Sequence, residues 1–161
     1  MASRALIALL AILASSCGTQ TPPSDSELMS EFRAHRKEID VIVQMIRADK
    51  ALLRVDADWT MPANPEALGI DAQRIEEYRR LLRHIGYPRG FYYRPSSGEI
   101  EFVAWAGGTV ASGGTKSVVY LPQSPEPMVA DTADTVLPQP DGSTLAYRQI
   151  EPKWYVQFQE N

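Results

Sequence analysis

The sequence predicts an α+β domain in which two N-terminal helices pack on a four- or five-stranded antiparallel sheet. Apolar residues recur at the helical spacing up to Gly86 and at alternate positions from Gly90 onward. Helices that precede strands, rather than alternate with them, are typical of the α+β class. The 161 residues are enough for one domain with a single core.

The first predicted helix begins at a capping box, because Ser24 and Glu27 have the spacing at which each can satisfy a backbone amide near the other. Its apolar side chains fall within one arc and its charged side chains lie outside that arc. The apolar set is Leu28, Phe32, Ile39, Ile42, Val43 and Ile46. We expect this face to cover the core, and a short extended segment, residues 51–59, to follow the helix.

The second predicted helix is capped by Asp71 and ends at Gly86, which Pro88 follows. Its apolar face is formed by Ile75, Tyr78, Leu81, Leu82 and Ile85. We expect this helix to pack on the same core as the first.

Five segments in the second half of the chain alternate apolar and polar residues, as strands do. They are residues 90–95, 99–107, 116–122, 144–150 and 153–159. Residues 123–142 are too rich in proline for a central strand and are predicted to form a loop or a ragged edge. Glu99 and Glu101 share one strand face, which we expect to be the solvent side of the sheet.

The chain begins with the pattern of a secretory signal peptide, residues 1–16. Arg4 precedes an apolar run, residues 5–14, and small residues then lead to Cys17, the only cysteine of the chain. The run holds about ten apolar residues, whereas a membrane-spanning helix needs about 20. With one cysteine the domain can form no internal disulfide.

The small residues that end on Cys17 resemble the lipobox of bacterial lipoproteins. This resemblance implies that the signal peptide is removed before Cys17 and that Cys17 then holds the protein on the membrane through acyl chains such as palmitate. The residue after the cysteine is Gly18 and not aspartate. This resembles the sorting pattern of outer-membrane lipoproteins that face the periplasm. An ordinary signal peptidase could instead cleave the same bond and release a soluble secreted protein, and a chain that is not exported is the third alternative.

The segment after Cys17 predicts a tether. Residues 18–26 hold two prolines and no large apolar side chain. We therefore expect residues 17–26 to be the lipidated cysteine with a flexible tether and residues 27–161 to be a single α+β domain.

The charge balance argues against nucleic-acid binding. Removal of residues 1–16 takes away one of the 16 basic side chains and none of the 20 acidic ones, which leaves 15 basic against 20 acidic. A mildly acidic chain lacks the basic surface that replaces phosphate counterions.

The glycine-rich segment 107–117 has some likeness to a phosphate-binding loop. However, Thr115 separates Gly114 from Lys116, and strand patterns flank the segment where a helix should follow. We expect a flexible hairpin connection here, with no nucleotide and no other cofactor.

The two histidines do not predict a metal site. His35 lies on the apolar arc of the first helix with Glu31 one turn earlier, and His84 lies near the end of the second helix. This spacing is not typical of metal ligands and favours a partly buried His35 bonded to Glu31 or to a backbone carbonyl. We expect no metal, so that replacing His35 by leucine would change stability without removing an ion.

No catalytic constellation is visible in the sequence. No serine stands in a nucleophile elbow or a Ser-x-x-Lys arrangement, and an acylated Cys17 cannot act as a nucleophile. We therefore expect a protein that is not an enzyme.

The basic face of the second helix, Arg79, Arg80 and Arg83, is a candidate docking patch for an envelope protein or an anionic glycan. An ordinary solvated helix face is the simpler explanation of such charges.

Core packing explains most of the aromatic residues, with a ligand-stacking face as the alternative. These residues are Trp59, Trp105, Trp154, Tyr92, Tyr93, Tyr120 and Tyr155.

Three stretches, EEYRRLLRHIGYPRGFYYR, SGGTKSVVYLP and AYRQIEPKWYVQFQE, stand behind the lipoprotein-like signal. Together they are similar to an uncharacterised family of small proteobacterial lipoproteins, over most of residues 28–160. The family's loop lysine is followed by glycine and an aromatic residue, where this chain has Ser117 and Val118. The resemblance implies an envelope location and supplies no catalytic or binding residue.

These features predict a lipid-anchored protein of the cell envelope that acts as an interaction or assembly module. The alternative is a periplasmic protein that binds a small ligand or a glycan.

Overall fold

The computed structural model describes residues 21–109, 112–129 and 144–160. The helices in these residues are α1 (Asp25–Ala34), α2 (Arg36–Ala48) and α3 (Ala72–His84), with a 3-10 turn over Pro65–Leu68. The strands are β1 (Arg54–Val55), β2 (Thr60–Met61), β3 (Phe91–Arg94), β4 (Glu99–Thr109), β5 (Ser112–Tyr120), β6 (Thr144–Glu151) and β7 (Trp154–Glu160). The predicted α+β class is confirmed, whereas the predicted numbers of two helices and four or five strands are wrong.

The first predicted helix is two helices. Its capping box is confirmed, since the Glu27 amide donates to Ser24 Oγ at 3.3 Å and the Ser24 amide donates to Glu27 Oε2 at 2.7 Å. The chain leaves helical geometry at His35, where φ is −109° and ψ is 22°. One such residue between α1 and α2 does not disturb the spacing of buried side chains on either side, so periodicity alone did not reveal the break.

All strands described by the structure belong to one antiparallel sheet in the order β2-β1-β3-β4-β5-β7-β6. The five predicted strands correspond to β3 through β7. Strands β1 and β2 form a hairpin that pairs with β3 at one edge, with Val55 opposite Phe91. Each has only two residues, which is too short for an alternating pattern to be visible in the sequence.

The helices cover one face of the sheet and form the main core with it. Phe32 of α1 contacts Trp154 of β7, with 5.0 Å between ring centroids. The fully or nearly buried sheet residues of this core are Val55, Phe91, Ile100, Phe102, Val118, Trp154 and Val156. Most of these residues lie in β4, β5 and β7, so the helices pack mainly on the central strands of the sheet.

The opposite face of the sheet is also partly covered. Val119, Leu121 and Tyr155 form a smaller buried cluster, against which Tyr147 packs. Glu101, expected on the solvent side, is 6% exposed and accepts a hydrogen bond from Ser117 Oγ at 2.8 Å. That expectation was wrong for Glu101, because its cross-strand partner is Val119 and the smaller cluster that contains Val119 covers this part of the face.

Within the described ranges no helix is both long and apolar enough to cross a membrane. The folded part begins earlier than residue 27, since α1 starts at Asp25 and Asp25 is 1% exposed.

Candidate functional site

A cleft of about 490 Å³ lies between the β1–β2 hairpin and α3. Trp59 and Thr60 line it from the hairpin, and Ile75, Glu76 and Arg79 line it from α3. Further lining comes from Asp58, Ala63, Asn64, Pro65, Glu66 and Ala72. The volume is within the range of pockets that bind small molecules.

Trp59 presents an exposed aromatic ring to this cleft. It is 43% exposed, the largest exposed aromatic side chain among the residues whose burial is described. The Arg54 guanidinium lies 4.5 Å from the Trp59 ring centroid and 3.5 Å from that of Tyr92. A cation stacked between two aromatic rings holds both in place.

Arg54 is itself fixed by Asp56 in the same hairpin. Arg54 Nε donates to Asp56 Oδ2 at 3.1 Å, and a second bond joins Arg54 Nη2 to the same oxygen. The other carboxylate oxygen accepts the Ala57 amide at 2.7 Å, which shapes the turn that carries Trp59. These hydrogen bonds and ring contacts within the hairpin therefore hold the Trp59 indole in place.

Arg79 lies on the α3 side of the cleft, and its guanidinium is hydrogen-bonded to neighbouring residues. Its Nε donates to the Asp56 carbonyl at 3.1 Å and its Nη1 to Glu76 Oε1 at 2.8 Å, and its side chain is 16% exposed. Arg80 and Arg83, in contrast, are exposed and pair with no carboxylate in the part of the chain that the structure describes. The predicted patch of Arg79, Arg80 and Arg83 thus divides into one cleft residue and two surface charges.

The lining of the cleft is more acidic than basic. The carboxylate-bearing residues Asp58, Glu66 and Glu76 stand against the single guanidinium of Arg79. Such a cleft favours a neutral or amine-bearing ligand with many hydroxyl groups over an anion.

The other predicted aromatic residues belong mainly to the core or the sheet faces. Trp154 is 3% exposed, and its ring lies 5.4 Å from that of Tyr120 and 6.2 Å from that of Phe102. Tyr155 is 3% exposed on the opposite face. Among the predicted set, Trp59 is the residue that the fold places at a cleft with its ring exposed.

The glycine-rich segment is mostly strand rather than a hairpin connection. Residues 107–109 pair with residues 112–114, so the glycines continue β4 and β5. The register shifts between Val103 and Trp105, a bulge that makes Trp105 the partner of Lys116. The Trp105 ring then lies over the glycines: a Cβ added at Gly107 would be 2.4 Å from Trp105 Cζ2, and one at Gly114 3.2 Å from Cζ3.

A buried ion pair, not anticipated from the sequence, lies beneath the N-terminus of α1. Lys116 Nζ is 2.8 Å from Asp25 Oδ1, and the two side chains are 0% and 1% exposed. Arg148 Nη1 lies 3.5 Å from the other oxygen of Asp25. Lys116 has the same strand parity as Val118 and Tyr120, which is a signal that it faces the core, but its partner is distant in sequence.

The structure brings the two histidines together. His35 and His84 have ring centroids 5.3 Å apart, nearly edge to face. His35 Nε2 is 3.6 Å from Glu31 Oε2, and His35 Nδ1 is 3.8 Å from Glu38 Oε1. The predicted burial of His35 is present in part, but its predicted hydrogen bond to Glu31 or to a backbone carbonyl is absent among the described residues, since Glu31 approaches only to 3.6 Å. The proximity of His84 was not predicted.

Two buried polar atoms near these histidines have no hydrogen-bond partner within the described ranges, His35 Nδ1 and the hydroxyl of Tyr87. Burial, with a smaller contribution from the Glu31 carboxylate, raises the pKa of Tyr87. A second buried tyrosine is hydrogen-bonded, since the hydroxyl of Tyr78 in α3 donates to Asp49 Oδ2 at 2.9 Å.

Cys17, the predicted lipidation site, lies outside the described residues. Comparisons of the chain with protein-family models, with curated proteins and with solved structures find no match.

Proposed function

We propose that this protein is a lipid-anchored binding protein of the bacterial cell envelope and that it binds a glycan in the cleft beside Trp59. The observation that supports a glycan as the ligand is the exposed indole of Trp59, which Arg54 holds in place and polar side chains border. A flat aromatic ring contacts the apolar face of a sugar, and the surrounding carboxylates accept hydrogen bonds from its hydroxyls.

Thermal unfolding in the presence of neutral N-acetylglucosamine oligosaccharides and of amine-bearing glucosamine oligosaccharides tests the ligand, because both lack the carboxylates that the acidic lining would repel. We expect the midpoint temperature to rise in the parent protein, because a ligand that binds only the folded state stabilises it. Trp59→Ala should remove the rise. Met61→Ala is the matched control, since Met61 is a 46% exposed apolar residue of the same hairpin that does not line the cleft.

Equal temperature shifts in Trp59→Ala and Met61→Ala would contradict binding at this cleft. The absence of a shift with every glycan would contradict the ligand class. Met61→Ala should keep a midpoint without ligand close to that of the parent, whereas Trp59→Ala loses the contact with Arg54 and should lower it. The ligand-induced shift is therefore measured from each variant's own midpoint.

The proposed anchor is Cys17 with acyl chains, sorted to the outer membrane and facing the periplasm. Support comes from the signal-peptide pattern and the small residues before Cys17. Intact mass of protein from the membrane fraction tests it: residues 17–161 plus acyl groups are expected, and Cys17→Ala should lose them. An unmodified 17–161 chain in the soluble fraction would contradict the anchor and favour ordinary secretion.

A second candidate function is docking to an acidic envelope protein through Arg80 and Arg83. The observation that favours it is that both guanidiniums are exposed on α3 and are not paired with carboxylates in the described ranges. Arg80→Glu with Arg83→Glu should abolish cross-linking to that partner in cells and leave the unfolding midpoint nearly unchanged. Arg33→Glu, an exposed arginine on α1, is the control, and unchanged cross-linking in the double variant would contradict the patch.

A further inference from the structure

We propose that His35, Glu38 and His84 bind one divalent transition-metal ion, for which Zn²⁺ is the best match. One donor atom from each of the three residues lies within 4.8 Å of the others. Two imidazole nitrogens and one carboxylate oxygen form a donor set that Zn²⁺ uses in proteins and that other divalent transition metals also accept.

The buried, unpartnered nitrogen of His35 is an independent observation that supports the site. His35 Nδ1 has no hydrogen-bond partner among the described residues, although it is shielded from solvent. A buried polar atom is normally hydrogen-bonded, because it has lost its bond to water and that loss is costly without a replacement. The nearest carboxylate oxygen, of Glu38, is 3.8 Å away, too far for a hydrogen bond and suitable for an ion between the two atoms.

The second nitrogen of His35 has the surroundings of a metal-bound histidine. Its Nε2 faces the Glu31 carboxylate at 3.6 Å. Metal-binding histidines commonly direct their other ring N–H toward a carboxylate, which fixes the tautomer and the ring orientation. Glu31 on this side favours a proton on Nε2, which leaves the Nδ1 lone pair for the ion.

The three donor atoms must move slightly closer together to bind one ion. Bonds of about 2.0–2.2 Å in tetrahedral geometry place donor atoms about 3.4 Å apart. The separation between His35 Nδ1 and Glu38 Oε1 is already near this value. His84 is the exposed last residue of α3, so its ring can rotate toward the other two ligands without disturbing the core.

The three metal ligands come from two different parts of the helical layer. His35 joins α1 to α2, Glu38 lies in the first turn of α2, and His84 ends α3. An ion held by these residues links the helix junction to the end of α3. Three protein ligands also leave one tetrahedral position for water or for a donor group of another molecule.

Calorimetric titration with Zn²⁺ tests the site in the full chain, expressed without a histidine tag, treated with a chelator and carrying Cys17→Ala so that no thiol competes. We expect one equivalent of Zn²⁺ to bind and to raise the unfolding temperature. His84→Ala and, separately, Glu38→Gln should weaken binding at least tenfold, and Glu31→Gln about tenfold, as expected for an outer carboxylate. Glu77→Gln, in an exposed pair with Arg74, is the control and should bind as the parent does.

Unfolding in chelator separates binding from folding, because His84→Ala alters an exposed residue and should keep the parent midpoint. Nitrogen NMR of the imidazoles gives a readout independent of affinity: Zn²⁺ should shift His35 Nδ1 and one nitrogen of His84. The proposal is overturned if no stoichiometric Zn²⁺ binds, or if the His84 and Glu38 variants bind it with parental affinity.

Discussion

Two polar clusters of the helical layer differ in how completely their atoms are partnered. At the start of α1 the Asp25 carboxylate meets Lys116 at 2.8 Å and Arg148 at 3.5 Å, and Asp25 and Lys116 are withdrawn from water. At the α1–α2 junction His35 keeps 23% side-chain exposure and a nitrogen without a hydrogen bond in the described ranges. In the first, closed cluster one buried carboxylate is paired with two cations, so removing one member is costly to the fold. In the second, open cluster a nitrogen without a hydrogen bond among the described residues is available to a ligand.

The largest expected effect comes from breaking the closed cluster. Asp25→Ala should lower the free energy of unfolding by about 3–5 kcal/mol, because it removes the carboxylate that lies 2.8 Å from the buried Lys116 ammonium and leaves that charge less well compensated. Urea unfolding measures the loss. Glu77→Ala is the control, since it removes an exposed pair and should cost less than about 1 kcal/mol.

Adding Lys116→Met to Asp25→Ala sharpens this test. Removing both charges should recover a large part of the lost stability, since a buried pair can be replaced by apolar groups at little cost. A double variant no more stable than Asp25→Ala would mean that the charge left on Lys116 is not the cause.

The next effect concerns Trp105, the cross-strand partner of Lys116. Gly107→Ala should cost about 1–3 kcal/mol, because its Cβ would overlap the Trp105 ring and the ring must move. In a Trp105→Ala background the same glycine substitution should cost much less. Equal costs in the two backgrounds, measured by urea unfolding, would show that the ring does not require the glycine.

A smaller effect appears at alkaline pH through Tyr87, beside the open cluster. Because burial raises the pKa of Tyr87, the folded protein keeps the phenol proton above pH 10, where the unfolded chain loses it. The contribution to stability is therefore constant below about pH 10 and falls above it, by about 1.4 kcal/mol at pH 11. Tyr87→Phe should remove that part of the alkaline loss, and an unchanged pH profile would contradict it.

The smallest effect contrasts two tyrosine hydroxyls at pH 7. Tyr78→Phe should lower stability by about 1 kcal/mol, because the hydroxyl donates to Asp49, which also accepts from Arg74. Tyr87→Phe should be neutral or slightly stabilising, since the Tyr87 hydroxyl has no hydrogen-bond partner in the described part of the chain. Thermal unfolding of both variants in chelator checks the ranking, and a larger loss for Tyr87→Phe would reverse the comparison.

Local patterns predicted the long elements and missed the features that depend on distant packing. The capping box at Ser24 and the alternation through β4 and β7 depend on neighbouring residues, so they were visible in the sequence. The cleft depends on β1 and β2, which are too short to have a period. The pairs His35 with His84 and Asp25 with Lys116 form only when the helices pack on each other or on the sheet, so spacing along the chain could not show them.

The first described residues, Thr21, Pro22 and Pro23, line a groove together with Trp105. Four peptide steps separate Thr21 from Cys17, and even fully extended they cover only about 14 Å. If Cys17 carries the proposed acyl chains, the end of the sheet that contains Trp105 therefore stays beside the lipid headgroups. The domain then diffuses in two dimensions with its bilayer, and any molecule that it engages must lie in that thin layer or travel to it.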